Sequence, residues 1–367
     1  MTDPRPESPP ALHVRGVVLP DDELRDLWLT PDRVTLEPVP GAVTVAGRGY
    51  ILPGLVDAHC HIGISPGGAP VTSADEARQL AAVDRAAGVL AIRDAGSPYP
   101  YPQLDDDPDV PRLARAGRHV APSKRYLRDI GVEVDAADVP ATVAAQAAAG
   151  NGWVKLVGDW IDRDRGDLAP AWDADTLRAA VAAAHAAGVR ATVHTFAEEA
   201  VDVVVRAGID CVEHGTGLSL DLIDEMARRG TALVPTMLIT TTFGNIADRA
   251  EGKFPTYARH MRTLRSRFPH VVRAAHEAGV PLYLGTDAGG GIDHGLAAEE
   301  ALLLHELAGV PPLDVLRAAS WGARQWLGFP GLVEGGLPDL VVYDEDPRAD
   351  IRVLRTPQHV ILRGRVR

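Results

Sequence analysis

Two cysteines in 367 residues are too few for a disulfide framework. Cys60 and Cys211 each sit inside a strand-like segment, where a small buried side chain is the expected use. No apolar run is long enough for a membrane span or a signal-peptide core, and the polar, proline-rich Met1–Pro10 reads as a loose leader on a cytoplasmic protein. Positive charge is outweighed too. The net charge is −13, and Arg262, Arg265 and Arg267 are scattered rather than gathered into a basic patch, which argues against nucleic acid. No Gly-x-Gly-x-x-Gly turn follows the first strand, so dinucleotide binding in a doubly wound sheet lacks its signature. A small-molecule ligand is what remains, with homo-oligomerisation left open.

What the chain does have is one repeated rhythm. With 46% hydrophobic and 24% charged residues, it can bury a large core of one barrel plus an appendage. Short β-branched runs near 52–59, 88–93, 118–121, 153–157, 189–194, 209–214, 231–236 and 281–286 alternate with Ala-rich helical stretches such as 174–187, 197–207, 219–229 and 295–308. Parallel βα units of this kind predict an α/β fold, a (β/α)8 TIM-type barrel over 52–330. Residues 11–51 and 331–367 are short strand-like pieces broken by Gly and Pro, and they predict one small β-sandwich domain built from both termini.

The barrel's chemistry is expected at the C-terminal ends of its strands. There Val56-Asp57-Ala58-His59-Cys60-His61 places two imidazoles on one side of a strand, with Cys60 turned away. Lys155 lies within Trp153–Val157, His194 and His214 close two further strands, and Asp287 closes the last. Imidazole and carboxylate suit zinc and similar borderline metals. Alone, each has a plainer use: a hydrogen-bonded core histidine, a snorkelling lysine, a helix cap. Together and in this order they point to a metal centre.

The constellation closely resembles the amidohydrolase superfamily, over almost the whole chain. Leu52-Pro-Gly-Leu-Val-Asp-Ala-His59, Val212-Glu-His-Gly-Thr216, Gly285-Thr-Asp287 and Gly336-Leu-Pro-Asp-Leu-Val-Val342 are similar to its imidazolonepropionase-like and metal-dependent prolidase-related branch. The resemblance implies two divalent ions, most readily Zn2+. His59, His61 and Asp287 would hold the more buried one, His194 and His214 the more exposed one, and Lys155, as N6-carboxylysine, would bridge them. It also implies a metal-bridging hydroxide that cleaves a C–N bond of an amide, dipeptide or cyclic amide, with Asp287 as the catalytic acid/base. An esterase, lactonase or phosphotriesterase on the same centre stays open, because such a nucleophile attacks C=O and P=O alike. A mononuclear deaminase would leave Lys155 idle, and a non-catalytic binding barrel would be expected to have lost a ligand.

Substrate contacts are read from loops. Ser123–Arg128 carries three cations and Tyr126, so Tyr126 and Arg128 are candidates for a carboxylate clamp, a solvated basic turn being the alternative. Relatives often have Gly-Gly-His in this region where the chain has Asp129-Ile-Gly131, so no family contact carries over. His294, in the glycine-rich loop after Asp287, is a further candidate. Arg93 and Asp94 are expected to pair with each other. Residues 240–258 form a long connection expected to serve as a lid. His185 and His276 read as structural partners of helix C-termini, and His13, His305 and His359 lie outside the site.

Overall fold

The computed structural model describes residues 10–367, so all of the expected leader except Pro10 lies outside the described residues. Strands Leu55–Cys60, Val89–Asp94 and Arg112–Arg115 pair in parallel. Val120–Ala121, Trp153–Val157, Arg190–Thr195, Cys211–His214 and Ala232–Val234 form a second parallel series. Hydrogen bonds then lead back to the start. Leu233 bridges to Leu282, the Ala58 N–H donates to the Leu284 carbonyl at 2.7 Å, and the Asp287 N–H donates to the His59 carbonyl at 2.8 Å. These strands are almost wholly buried, as expected for parallel strands covered by helices.

The covering helices have legible ends. Ser73 and Asp173 accept from backbone N–H groups of the first turns of Ala74–Ala86 and Ala174–Ala186. Gly208 and Gly230, at φ 90° and 72°, close Glu198–Ala207 and Leu220–Arg229 in the left-handed conformation that glycine adopts without strain.

Several expected boundaries move. The third strand is broken: Gly117, at φ 68°, separates Arg112–Arg115 from Val120–Ala121. The seventh stops at Val234, because Pro235 lacks an N–H and Thr236 turns to φ 49°. The last, expected over 281–286, makes isolated bridges instead of a ladder, since the Leu284 N–H goes to the Ala318 carbonyl and the Thr286 N–H to the Asp57 carboxylate. The 240–258 connection contains helix Phe243–Ala250 and overlaps helices Met237–Thr241 and Pro255–Glu277.

Both chain ends meet in one sheet, ordered Arg365–Val366, His359–Leu362, Leu340–Tyr343, Tyr50–Pro53, Leu12–Val18, Glu23–Leu29 and Val34–Thr35, with Val43–Ala46 also on Leu12–Val18. Alternate residues Leu12, Val14 and Val18 are buried with Leu27, Leu29, Ile51, Leu340 and Ile361 in a core of their own. Asp339, buried at the turn into this sheet, receives Arg112 at 2.6 Å, Arg324 at 3.1 Å and the Arg363 N–H at 2.9 Å. One carboxylate thus joins the terminal sheet to the parallel strands.

Candidate active site

His59, His61 and Asp287 converge at the ends of the first and last parallel strands. Asp287 Oδ1 lies 2.9 Å from His59 Nε2 and 3.2 Å from His61 Nε2, and the two Nε2 atoms are 3.2 Å apart. Gly285 makes the approach possible: a Cβ there would stand 2.5 Å from a Val234 methyl and 2.7 Å from the His59 Cβ. Asp57 buttresses the same junction, its Oδ1 accepting from the His59 N–H at 3.1 Å and the Thr286 N–H at 3.0 Å. Opposite them, His194 Nδ1 and His214 Nε2 stand 3.0 Å apart.

The outer nitrogens of His61 and His214 are already engaged, and those of His59 and His194 have no hydrogen-bond partner. His61 Nδ1 donates to the Gly96 carbonyl at 2.8 Å, which leaves Nε2 as a lone pair facing inward. His214 Nδ1 pairs with the Thr236 hydroxyl at 2.6 Å, and His194 Nε2 faces Asp159 Oδ1 at 3.8 Å. Burial, reinforced by the Lys155 ammonium, pushes His194 down to about 3, and burial beside His194 pushes His214 well below its ordinary range. Both are therefore neutral, the form in which imidazole binds metal. Burial would raise Asp287, yet the charge and hydrogen bond of His59 hold it well below the usual carboxylate range, so it is ionised.

Lys155 lies on the same face of its strand, and its Nζ meets Glu213 Oε2. Glu213 is the member that sequence reasoning missed. Its Oε1 receives Thr192 at 2.8 Å and Arg93 at 3.0 Å and lies 3.2 Å from His59 Nδ1, off the line of a good hydrogen bond. The expected Arg93–Asp94 pair is not formed. Arg93 turns to Glu213, and Asp94 accepts from the Gly96 N–H at 3.0 Å and the Ser97 hydroxyl at 2.7 Å. Strand register explains Glu213: it sits directly opposite His194, hence on the same face. His214 should then point away, and its φ of 64° is what swings the ring back. Asp287, at φ 60°, ends its strand in the same strained way.

The other candidates separate. Tyr126 lines the cavity beside the histidines. Arg128 is exposed on its loop and outside the cavity wall. His294 is also a departure from expectation: its Nδ1 pairs with the buried Asp84 at 2.8 Å, behind the strand and beside the Cys60 thiol, and Asp84 also accepts from the Gly295 N–H at 2.7 Å. That pair anchors the glycine-rich loop to helix Ala74–Ala86 and leaves His294 off the wall of the cavity beside the histidines. Sequence reasoning also passes over His119, Trp160, Phe196 and Phe243. His119 is fully buried with neither ring nitrogen partnered, 5.2 Å between ring centres from His61 and 4.9 Å from Tyr126. It lies within the expected 118–121 run, just before strand Val120–Ala121, and residue type and position alone did not mark it as part of the site.

The amidohydrolase family model matches residues 50–367, and an uncharacterized protein of Mycobacterium tuberculosis is 52% identical over 355 residues, 96% of this chain and 95% of that protein. The chain belongs to the amidohydrolase family, and as such it is an enzyme, a hydrolase. The ochratoxinase of Aspergillus niger is 26% identical over 172 residues, 46% of this chain and 35% of that protein. Its crystal structure superposes with a TM-score of 0.78 at 18% identity, covering 97% of this chain and 96% of that one. A Xaa-Pro dipeptidase with bound methionine superposes at 0.80 with 23% identity, covering 97% and 99%. These likenesses place the chain in the mixed α/β fold of those hydrolases.

Proposed function

We propose that this chain is a metal-dependent hydrolase of C–N bonds, with a closed (β/α)8 barrel over 52–330 and a β-sandwich formed by 11–51 and 331–367. The observation that carries it is the convergence of His59, His61 and Asp287 on one point, with His194 and His214 paired opposite them. A cation is what such a donor set fits. His59, His61 and Asp287 would hold one ion, His194 and His214 a second, and Lys155, carboxylated, would join them. Bound there, two divalent cations, zinc by ligand type, polarise the scissile carbonyl and lower the pKa of water towards about 7.

The chain's own residues do the rest. Asp287 accepts the proton released by the attacking water and returns it to the leaving nitrogen. Asp159, whose Oδ2 is held by the Phe196 and Ala197 N–H groups at 2.7 and 2.6 Å, keeps a free Oδ1 3.8 Å from His194 Nε2, beyond direct hydrogen-bond distance. The Tyr126 phenol stands at the cavity wall, where it can donate to the substrate. Phe196, packed edge-on against His194 at 4.5 Å, keeps water off that ring.

Ester and phosphotriester cleavage use the same centre, and the leaving group separates them from amide cleavage. Asp287→Asn keeps an oxygen ligand but loses the proton carrier. Turnover of an amide should fall by about 10²–10⁴-fold, and by clearly less for an aryl ester of the same acyl part, whose phenolate leaves without a proton. Equal losses on both would remove Asp287 from leaving-group protonation.

A further inference from the structure

The cavity beside the histidines has two unlike ends. One is built by His59, His61, Lys155, His194 and Asp287, the other by Ile64, Leu127, Trp160, Ile239, Phe243 and Ile246. Among the described residues the only cation on its wall is Lys155, at the histidine end and engaged by Glu213. The basic loop that could have received a carboxylate faces elsewhere. Arg125 is spent on Asp162 at 3.1 Å and on the Trp160 and Ala169 carbonyls at 3.2 and 3.0 Å, and Lys124 and Arg128 are exposed. Arg125 thereby fixes the hairpin Asp159–Asp162 with Asp167–Pro170, which presents Trp160 to Tyr126 at 5.0 Å and to His194 at 5.7 Å. The aromatic wall continues from Phe196 to Phe243 at 4.9 Å.

The whole cavity, histidine cluster included, is small, about 160 Å³, which caps the room left for the apolar part. An apolar cavity of roughly 150 Å³ lined by Leu, Ile and Phe takes up benzene, which sets the scale at one ring or one branched aliphatic group. A carboxylate seated against Trp160, Ile239, Phe243 and Ile246 would lose its hydration with no cationic side chain among them to replace it.

Resting on the hydrolase reading above, we infer that the substrate is an amide bearing a phenyl- or isobutyl-sized uncharged substituent next to the scissile bond, seated against Trp160, Ile239, Phe243 and Ile246. Free dipeptides and other amides with a carboxylate at that position are excluded. The handles the pocket offers beyond the histidine cluster are uncharged, the Tyr126 phenol and the His119 ring behind it.

Two substrate series test this with the zinc-reconstituted protein. One keeps glycinamide as the amine and varies the acyl group: acetyl, butyryl, isovaleryl, phenylacetyl and succinyl. The other keeps acetyl and varies the amine: methylamine, isobutylamine, benzylamine and β-alanine. In at least one series kcat/KM should climb by about fourfold per added methylene, reach at least about 60-fold at the phenyl member, and fall at least about 10²-fold below it for the carboxylate. Calorimetric binding of phenylacetamide and of succinamate supplies a readout independent of turnover, and phenylacetamide should bind the more tightly. Leu127→Arg, a change at an exposed rim position, should narrow the phenyl-to-carboxylate ratio by about tenfold or more. Should no amide be cleaved while phenylacetamide still binds preferentially, the hydrolase reading falls and the pocket assignment stands. Carboxylate members equal to or better than phenyl members in both series, tighter succinamate binding, or no binding of either ligand overturns the inference.

Discussion

At the scale of single residues, the sequence puts the histidines and Asp287 at strand ends, and the structure brings His59, His61 and Asp287 together there with His194 beside His214. Glu213 could not be read from sequence. It sits between two residues already noted in Val212-Glu-His-Gly-Thr216, but assigning it to the inner face requires knowing that it pairs opposite His194, and that His214 leaves strand geometry at φ 64°. His294 misled for the opposite reason: a flexible glycine-rich loop next to Asp287 suggested substrate, whereas its partner, Asp84, comes from a helix some two hundred residues earlier. Lys155 gives the sharpest residue-level test. Lys155→Ala should lower metal occupancy and turnover together, and short carboxylic acids added to the variant should restore part of both by standing in for the bridge. Lys124→Ala, on the exposed loop, should change neither. Wild-type turnover in Lys155→Ala would end the bridging proposal.

Elements were legible where periodicity was strong and indistinct where hydrogen bonds left the ladder. The buried parallel strands around Lys155, His194 and His214 fall where expected. The last strand hardly pairs, because its N–H groups serve Ala318 and Asp57, and no sequence pattern announces that. The 240–258 connection proved to be largely helical, and the helix Met237–Thr241 that leads into it is held at its start, where buried Glu300 accepts from the Met237 and Leu238 N–H groups at 2.7 and 2.8 Å. On the far side of the cavity, His260 of the long helix Pro255–Glu277 joins Asp167 and Glu198, each at 2.9 Å. Its bond to Glu198 outweighs partial burial and, with Asp167, raises it from 6.5 to about 8. A raised histidine stabilises the fold fully below its unfolded pKa and ceases to do so as pH rises through the folded one. Urea unfolding should therefore show the wild type losing roughly 1 kcal/mol relative to His260→Gln between pH 6 and pH 9, a figure reduced for the half-exposed Glu198. Parallel stability curves for the two proteins would contradict this ion-pair account.

For the whole molecule, composition shows a contrast between termini poor in long helices and the βα rhythm between them, and both chain ends share one sheet. How the parts are joined could not be read from sequence. Asp339 lies in the quoted Gly336–Val342 stretch, and only the structure shows it receiving Arg112 and Arg324 from the βα part. Removing one partner of a buried ion pair costs about 3–5 kcal/mol, so Asp339→Ala should lower the thermal midpoint by several degrees. An unchanged midpoint would mean that the terminal sheet is held by its apolar contacts alone. Among the described residues no helix is long and apolar enough to cross a membrane. The claim on which the rest depends is that the converged histidines, Lys155 and Asp287 form a two-ion centre. Its most direct measurement is the metal-to-protein ratio, by elemental analysis of wild-type protein reconstituted with zinc and freed of loosely bound ion by gel filtration. The account predicts a ratio close to two, with hydrolysis lost when the ions are stripped and regained when they are returned; a ratio that stays near one with full activity, or near zero, would contradict it.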